Sequence, residues 1–275
     1  MDISEQLDVK NLLLADAHEP CPVPIWRETF LGVDWVKLRA SRVYYGIGVP
    51  KGDNSAVILV PGFMGYDYYM VELFAWLWRM RYRPYMSRIG HNAECPDILV
   101  DHLMKTVRRA HEKTGKRVHL VGHSLGGIIA RGAAVLEPDL IASVTSLGSP
   151  LRGIRAHPSV LKLADRVRER ILSRRHERPL DKPIHDKCFT SECTCGFMNT
   201  WRDNFPDSVH ETAVYTKTDG IVDWEVCRLD NPETDFEVRG THCGLVWNPE
   251  VYKILANRLA EVDTSPLPKK KKSAA

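Results

Sequence analysis

No stretch of this 275-residue chain approaches 18 consecutive apolar residues, so a membrane-spanning helix is not expected. An excess of one charge is missing too. The 38 Lys and Arg stand against 35 Asp and Glu, a formal +3 that is too small to argue for a nucleic-acid partner. Without Lys269, Lys270, Lys271 and Lys272 of the closing "PLPKKKKSAA", the balance is slightly negative. The opening "MDISEQLDVKNLLLADAHEP" lacks the basic flank and long apolar run of a secretory signal, and a cytoplasmic protein is expected. An even set of cysteines is lacking as well. Seven are present, and in a reducing compartment most are expected as free thiols. Internal repeats are absent, and low complexity is confined to the basic tail. What is there is ordinary globular material, 44% hydrophobic and 27% charged, enough to bury a sizeable core.

Periodicity organises the chain. "NSAVILVPG" is a continuous apolar run of the kind found in a strand covered on both faces. "SRVYYGIGV", "YRPYMSRI", "KRVHLVG", "LIASVTSLGSP", "ETAVYTKTD" and "DFEVRG" are further predicted strands. Between them lie predicted helices: "MVELFAWLWRM", "DILVDHLMKTVRRAHEKTG" closed by Gly115, "SLGGIIARGAAVL", and "NPEVYKILANRLAEV" with Asn248 as its cap. Strands alternating with helices imply an α/β fold with a mainly parallel twisted sheet covered on both faces. Three regions depart from this rhythm. Residues 1–27 read as an irregular or partly helical lead in which Leu12, Leu13 and Leu14 dock on the body. Residues 265–275 read as a disordered basic tail, leaving one domain over 28–264. Residues 151–208 are too long for a simple crossover and read as an inserted helical cap or lid. Within that insertion Val160, Leu163, Ala164, Val167 and Ile171 follow helical spacing, and from Lys162 to Arg178 seven basic residues face three acids.

The chemistry concentrates in "VGHSLGG". A Gly-x-Ser-x-Gly where a strand becomes a helix is a nucleophile elbow: the turn leaves no room for a Cβ at Gly122 or Gly126, and Ser124 stands clear of the sheet. Serine needs a base, and the base needs an orienting acid. In this architecture they follow in the order acid, then histidine. "YTKTDGIVDW" places Asp219 just after a predicted strand, with Asp223 as the alternative acid, and "VRGTHCGLVW" places His242 before the last helix. His119, His123, His185 and His210 read as surface or packing residues. A tetrahedral oxyanion needs two backbone donors. The expected pair is the Leu125 amide and an amide of "LVPGFMGYD", Phe63 first and Met64 second. Met64, Tyr66 and Tyr69, which follow the same loop, are expected to line a substrate pocket, together with Phe63.

These residues carry a resemblance. "VPGFMGYD" is similar to the His-Gly-x-x-Gly-Phe/Tyr-Asp oxyanion loop of bacterial lipase-like esterases in the α/β-hydrolase superfamily, with Pro61 in place of the histidine. "GHSLGG", "TDGIVDW" and "GTHCGL" resemble the elbow, acid and histidine loops of the same group, and the resemblance runs from about Ser55 to Val262. It implies the α/β-hydrolase fold and cleavage of carboxylic esters through an acyl-serine intermediate. It implies no metal or organic cofactor, a small-molecule or lipid ester as substrate, peripheral lipid contact at most, and a monomer or homodimer. The same triad also serves acyltransferases and thioesterases, and the same fold serves ligand-binding proteins without activity. In "HDKCFTSECTCGF", Cys188, Cys193 and Cys195 lie near His185. A tetrahedral zinc site, a disulfide within the cap and plain thiols are the three readings of that cluster, its C-x-C spacing being tighter than the usual C-x₂-C pair.

Overall fold

The computed structural model describes residues 19–177, 184–190, 193–202 and 205–267. The expectations for Leu12, Leu13, Leu14 and for Pro268–Ala275 lie outside the described residues. Six strands form one parallel sheet: β1 (Ala56–Val60), β2 (Arg83–Met86), β3 (Val118–His123), β4 (Ile141–Leu147), β5 (His210–Tyr215) and β6 (Asp235–Glu237), in the order β2-β1-β3-β4-β5-β6. The continuous apolar run of β1 is buried at all five positions, as a strand covered on both faces requires. Alternation divides it: Val57 and Leu59 face one core, Ala56, Ile58 and Val60 the other.

The first core packs α1 (Leu31–Ala40), α2 (Val71–Arg79) and α7 (Pro249–Glu261) on the sheet through Leu38, Leu73, Trp76, Tyr252 and Leu255. The second packs α3 (Pro96–Thr114) and α4 (Leu125–Leu136) through Leu99, Leu103, Ile129 and Ala133. Helix ends follow their local chemistry. Gly115 closes α3 at φ +65°, and the Asn248 side chain accepts hydrogen bonds from the Glu250 and Val251 amides at the start of α7. Among the described residues no helix is long and apolar enough to cross a membrane.

The chain between β4 and β5 carries α5 (Pro158–Ser173) and α6 (Gly196–Arg202). Val167 and Ile171 of α5 are buried together with Ala93, Cys95, Ile184, Cys188 and Cys193 in a small separate core. None of the seven cysteines is in a disulfide. Cys188 lies 3.5 Å, sulfur to sulfur, from Cys95 at the start of α3, His185 is exposed, and among the described residues no group of three or more His, Cys, Asp or Glu is arranged to hold a metal.

One of these expectations fails. "SRVYYGIGV" is not a strand. Val43–Tyr45 form a 3₁₀ turn, Gly46 and Gly48 take positive φ, and the Val43 and Tyr44 carbonyls are bonded by the Trp76 indole and the Arg79 guanidinium rather than by a neighbouring strand. Regular structure begins at the described end of the lead. Glu19–Pro20 pair in parallel with Arg155–Ala156, a 3₁₀ segment runs over Ile25–Phe30, and α1 follows directly.

Candidate active site

β3 delivers Ser124 and α4 begins immediately after it. Ser124 holds φ +52° and ψ −126°, a conformation that costs a non-glycine residue about 1–3 kcal/mol and persists only where its surroundings impose it. Those surroundings are two bare glycines. A Cβ at Gly122 would collide with the backbone of Gly126 and Gly127, and one at Gly126 would collide with the carbonyls of Val60 and Pro61. The serine is 8% exposed and lies on the wall of a cavity of about 450 Å³.

His242 lines the same cavity. Its Nδ1 lies 2.6 Å from Oδ2 of Asp219, and both side chains are buried. The other oxygen of Asp219 accepts from the amides of Ile221 (2.8 Å) and Val222 (2.7 Å), which fixes the carboxylate's direction. Burial alone would lower the pKa of His242, but the Asp219 charge and hydrogen bond, with Glu28 beside them, raise it above the ordinary imidazole value. Asp223, the alternative acid, is turned elsewhere. It caps the short 3₁₀ turn at Glu225 and pairs with Arg155 at 2.9 Å.

The loop after β1 is held by Asn92, whose carbonyl accepts from the Met64 amide (2.8 Å) and whose side-chain amide donates to the Pro61 carbonyl (2.7 Å). The Gly62 amide donates to the Tyr69 hydroxyl at 2.7 Å. With Gly62 and Met64 committed, Phe63 carries the amide of this stretch that has no such bond among the described residues, and it lines the cavity with Leu125. Met64 and Tyr69 also reach the lining. Tyr66 does not: it is 53% exposed and stacks on the His91 ring at 4.5 Å, because the 3₁₀ turn that follows carries it away from the cavity.

His123, read as a packing residue, is a structural bridge. Its Nε2 faces the His242 carbonyl at 3.0 Å, and a carbonyl only accepts, so Nε2 carries the proton. Nδ1 then accepts from the Tyr69 hydroxyl at 2.7 Å, and that hydroxyl in turn accepts from Gly62. Burial, then the neighbouring His242, lowers the His123 pKa to about 3, so the ring stays neutral and the chain of bonds keeps one direction.

Three residues of the site escaped the reading of the sequence. Besides Asn92 these are Glu28 and Asp34, both N-terminal to the first strand of the sheet. Asp34, 3% exposed, accepts from the Thr241 amide (3.0 Å) and hydroxyl (3.1 Å). One oxygen of Glu28 accepts from the Gly220 (3.0 Å) and His242 (2.9 Å) amides, and the other from Cys243 (2.9 Å). Only the "TDG" and "THC" loops carried a signal. Nothing local tied an acid two hundred residues upstream to them.

The cavity is otherwise apolar. α5 closes one side with Val160, Leu161, Leu163 and Ala164, and Phe189 and Trp247 close others. A serine at a strained turn, a histidine with a carboxylate behind it and free amides at a helix start, all around one apolar cavity, can support acyl transfer.

The Alpha/beta hydrolase family profile matches residues 57–243, more than half of the chain. The chain belongs to the α/β hydrolase family. It is 42% identical over 69 residues to a triacylglycerol lipase of Pseudomonas fragi, the match covering 25% of this chain and 21% of that protein. A triacylglycerol lipase of Burkholderia plantarii is 43% identical over 54 residues, 19% of this chain and 15% of that one. The matched stretch thus spans about a fifth or less of the length of these curated relatives. Among solved structures, the mature form of a Bacillus licheniformis lipase aligns with a TM-score of 0.52 at 17% identity, over 78% of this chain and 95% of that one. A Paleococcus ferrophilus monoacylglycerol lipase aligns at 0.50 and 18% identity, over 77% and 96%. At such identities the likeness is one of fold.

Proposed function

We propose that this α/β hydrolase cleaves carboxylic esters with an apolar acyl group, through an acyl-serine intermediate. The observation that carries the reading is the 2.6 Å contact of His242 with Asp219 behind an apolar cavity that also holds Ser124 at positive φ. The matches to triacylglycerol lipases support an ester of lipid type.

In this mechanism Ser124 Oγ attacks the ester carbonyl while His242 Nε2 takes the hydroxyl proton. Asp219 holds the imidazole with its proton on Nδ1 and stabilises the imidazolium that forms. The Phe63 and Leu125 amides receive the negative charge that develops on the carbonyl oxygen. Collapse of the intermediate expels the alcohol, which leaves with the proton from His242. Water, deprotonated by the same nitrogen, then attacks the acyl-serine. The acid departs and Ser124 recovers its proton. The acyl chain lies against α5, which serves as the cap, and the alcohol side faces the opening.

The test is hydrolysis of p-nitrophenyl esters from acetate to palmitate by wild type and Ser124→Ala. Turnover in the wild type that falls by about 10⁴-fold or more in the variant is the expected result. A wild type that turns over no ester, or a variant that retains turnover, overturns the reading.

A further inference from the structure

We propose that Glu28 is a positioning residue of this site, a carboxylate that clamps the acid loop and the histidine loop to one another. The inference rests on the triad reading above. It concerns a residue that lies upstream of the stretch matched to the family profile, residues 57–243.

The geometry is that of a bridge rather than a packing contact. One Glu28 oxygen receives the amide of Gly220, the residue after the acid, at 3.0 Å and the amide of His242 itself at 2.9 Å. The other receives Cys243 at 2.9 Å. His242 stands at the start of the 3₁₀ turn Cys243–Trp247, whose first amides have no partner inside the turn. Glu28 therefore does for this turn what a capping side chain does for a helix, but from a distant segment, and the same oxygen holds the acid loop. Aligning Asp219 with His242 to hydrogen-bonding distance needs the two loops in fixed register. The Thr216 and Thr218 hydroxyls tie the loops on the N-terminal side of the Asp219–His242 contact by donating to the Gly240 carbonyl, and Glu28 ties them on the other side, at Gly220, His242 and Cys243.

The clamp also carries charge. The groups that face His242 are Asp219 from the loop after β5, His123 from β3, its neighbour Cys243, and Glu28 from the segment before α1, while Asp34 is turned to the preceding Thr241. His123 is neutral and Cys243 is held protonated, its pKa pushed up to about 12 by burial and then by Glu28. Asp219 and Glu28 are thus the negative groups that act on the imidazole, both in the same direction. Removing its charge while keeping its shape lowers the pKa of the base and loosens the register.

The experiment compares wild type, Glu28→Gln and Glu28→Asp in two measurements. The first is the pH profile of kcat/KM on the best p-nitrophenyl ester. The second is the titration of the His242 imidazole followed by NMR, which needs no turnover. The expected result for Glu28→Gln is a kcat lower by roughly 10- to 100-fold with KM little changed. Its acid limb and NMR titration both move to lower pH, because the base is active when neutral and the lost charge had favoured imidazolium. Glu28→Asp keeps the charge and returns the titration toward wild type. An unchanged titration in Glu28→Gln, or a loss confined to thermal stability or KM, overturns the clamp. If wild type turns over no ester yet Glu28→Gln shifts the titration, the clamp stands and the hydrolase reading falls. Where Glu28→Gln does not fold, Glu28→Asp alone decides: its shorter side chain keeps the charge but does not span the amides of both loops, so a lower kcat is expected. A kcat equal to wild type in that variant overturns the proposal.

Discussion

The two halves of the candidate site are built by different means. The serine half is local: β3, Ser124 and α4 are contiguous, and two glycines impose the turn through contacts within a few residues or with the adjacent strand. The histidine half is assembled from three distant pieces, the Asp219 loop, the His242 loop and the N-terminal segment through α1 that carries Glu28 and Asp34. Strain holds the first half and hydrogen bonds to carboxylates hold the second. A tight turn fails when an atom is added, and a bonded loop fails when an acceptor is lost.

The largest effects belong to the reacting groups, where both halves fail alike. Beside the Ser124→Ala loss given above, Asp219→Asn is expected to lower kcat by about 10⁴-fold, since the amide favours the wrong imidazole tautomer. Steady-state rates on one ester check it. A variant within tenfold of wild type would move the acid's role to another residue.

The halves separate next. Gly126→Ala forces a Cβ into the carbonyls of Val60 and Pro61, and a loss of about 3 kcal/mol or more, or no soluble protein, is expected from overpacking against backbone. Asp34→Ala leaves the buried Thr241 amide and hydroxyl without their acceptor at an expected cost of about 1–3 kcal/mol. Urea melts of both variants rank them. If Asp34→Ala costs more than Gly126→Ala, the contrast between strain and hydrogen bonding is broken.

A pH dependence sharpens the histidine half. His242 has a raised pKa because the charge and hydrogen bond of Asp219, together with the charge of Glu28, outweigh burial, so it gains its proton at a higher pH than free imidazole. The acid limb of kcat/KM is therefore expected above the ordinary imidazole value in wild type and at lower pH in Asp219→Asn. Residual activity of the variant, measured at high enzyme concentration, decides it.

The smallest effects lie around the pocket. Phe189→Ala opens the cavity wall and is expected to shift the preferred acyl length upward, whereas Tyr66→Ala is expected to leave the profile as it is. Rates across the ester series separate the two.

Much of the fold was legible because its signals are short-range. The buried run "AVILV", the Gly115 and Asn248 caps and the glycine pattern at the elbow each state a local constraint, and each appears where expected. Where reading failed, the signal was inverted or remote. α1 buries Asp34 beside Leu38 and exposes Val33, Trp35 and Val36, so a search for an apolar inner face passes over it. "SRVYYGIGV" has the composition of a strand, yet its carbonyls are bonded by Trp76 and Arg79 before any strand can pair with them.

The sequence by itself determined the α/β architecture, the elbow at Ser124 and the order in which an acid and a histidine follow it. Those depend on backbone sterics and on periods of two and 3.6 residues, which any short window displays. Only the tertiary structure decided that Asp219 rather than Asp223 meets His242. It also turned Tyr66 out of the cavity and brought Glu28, Asp34 and Asn92 to the site. The physical reason is that a carboxylate's partner is set by which amides and charges the packed sheet and helices bring within 3 Å, and residues two hundred apart in the chain share no local pattern that could announce it.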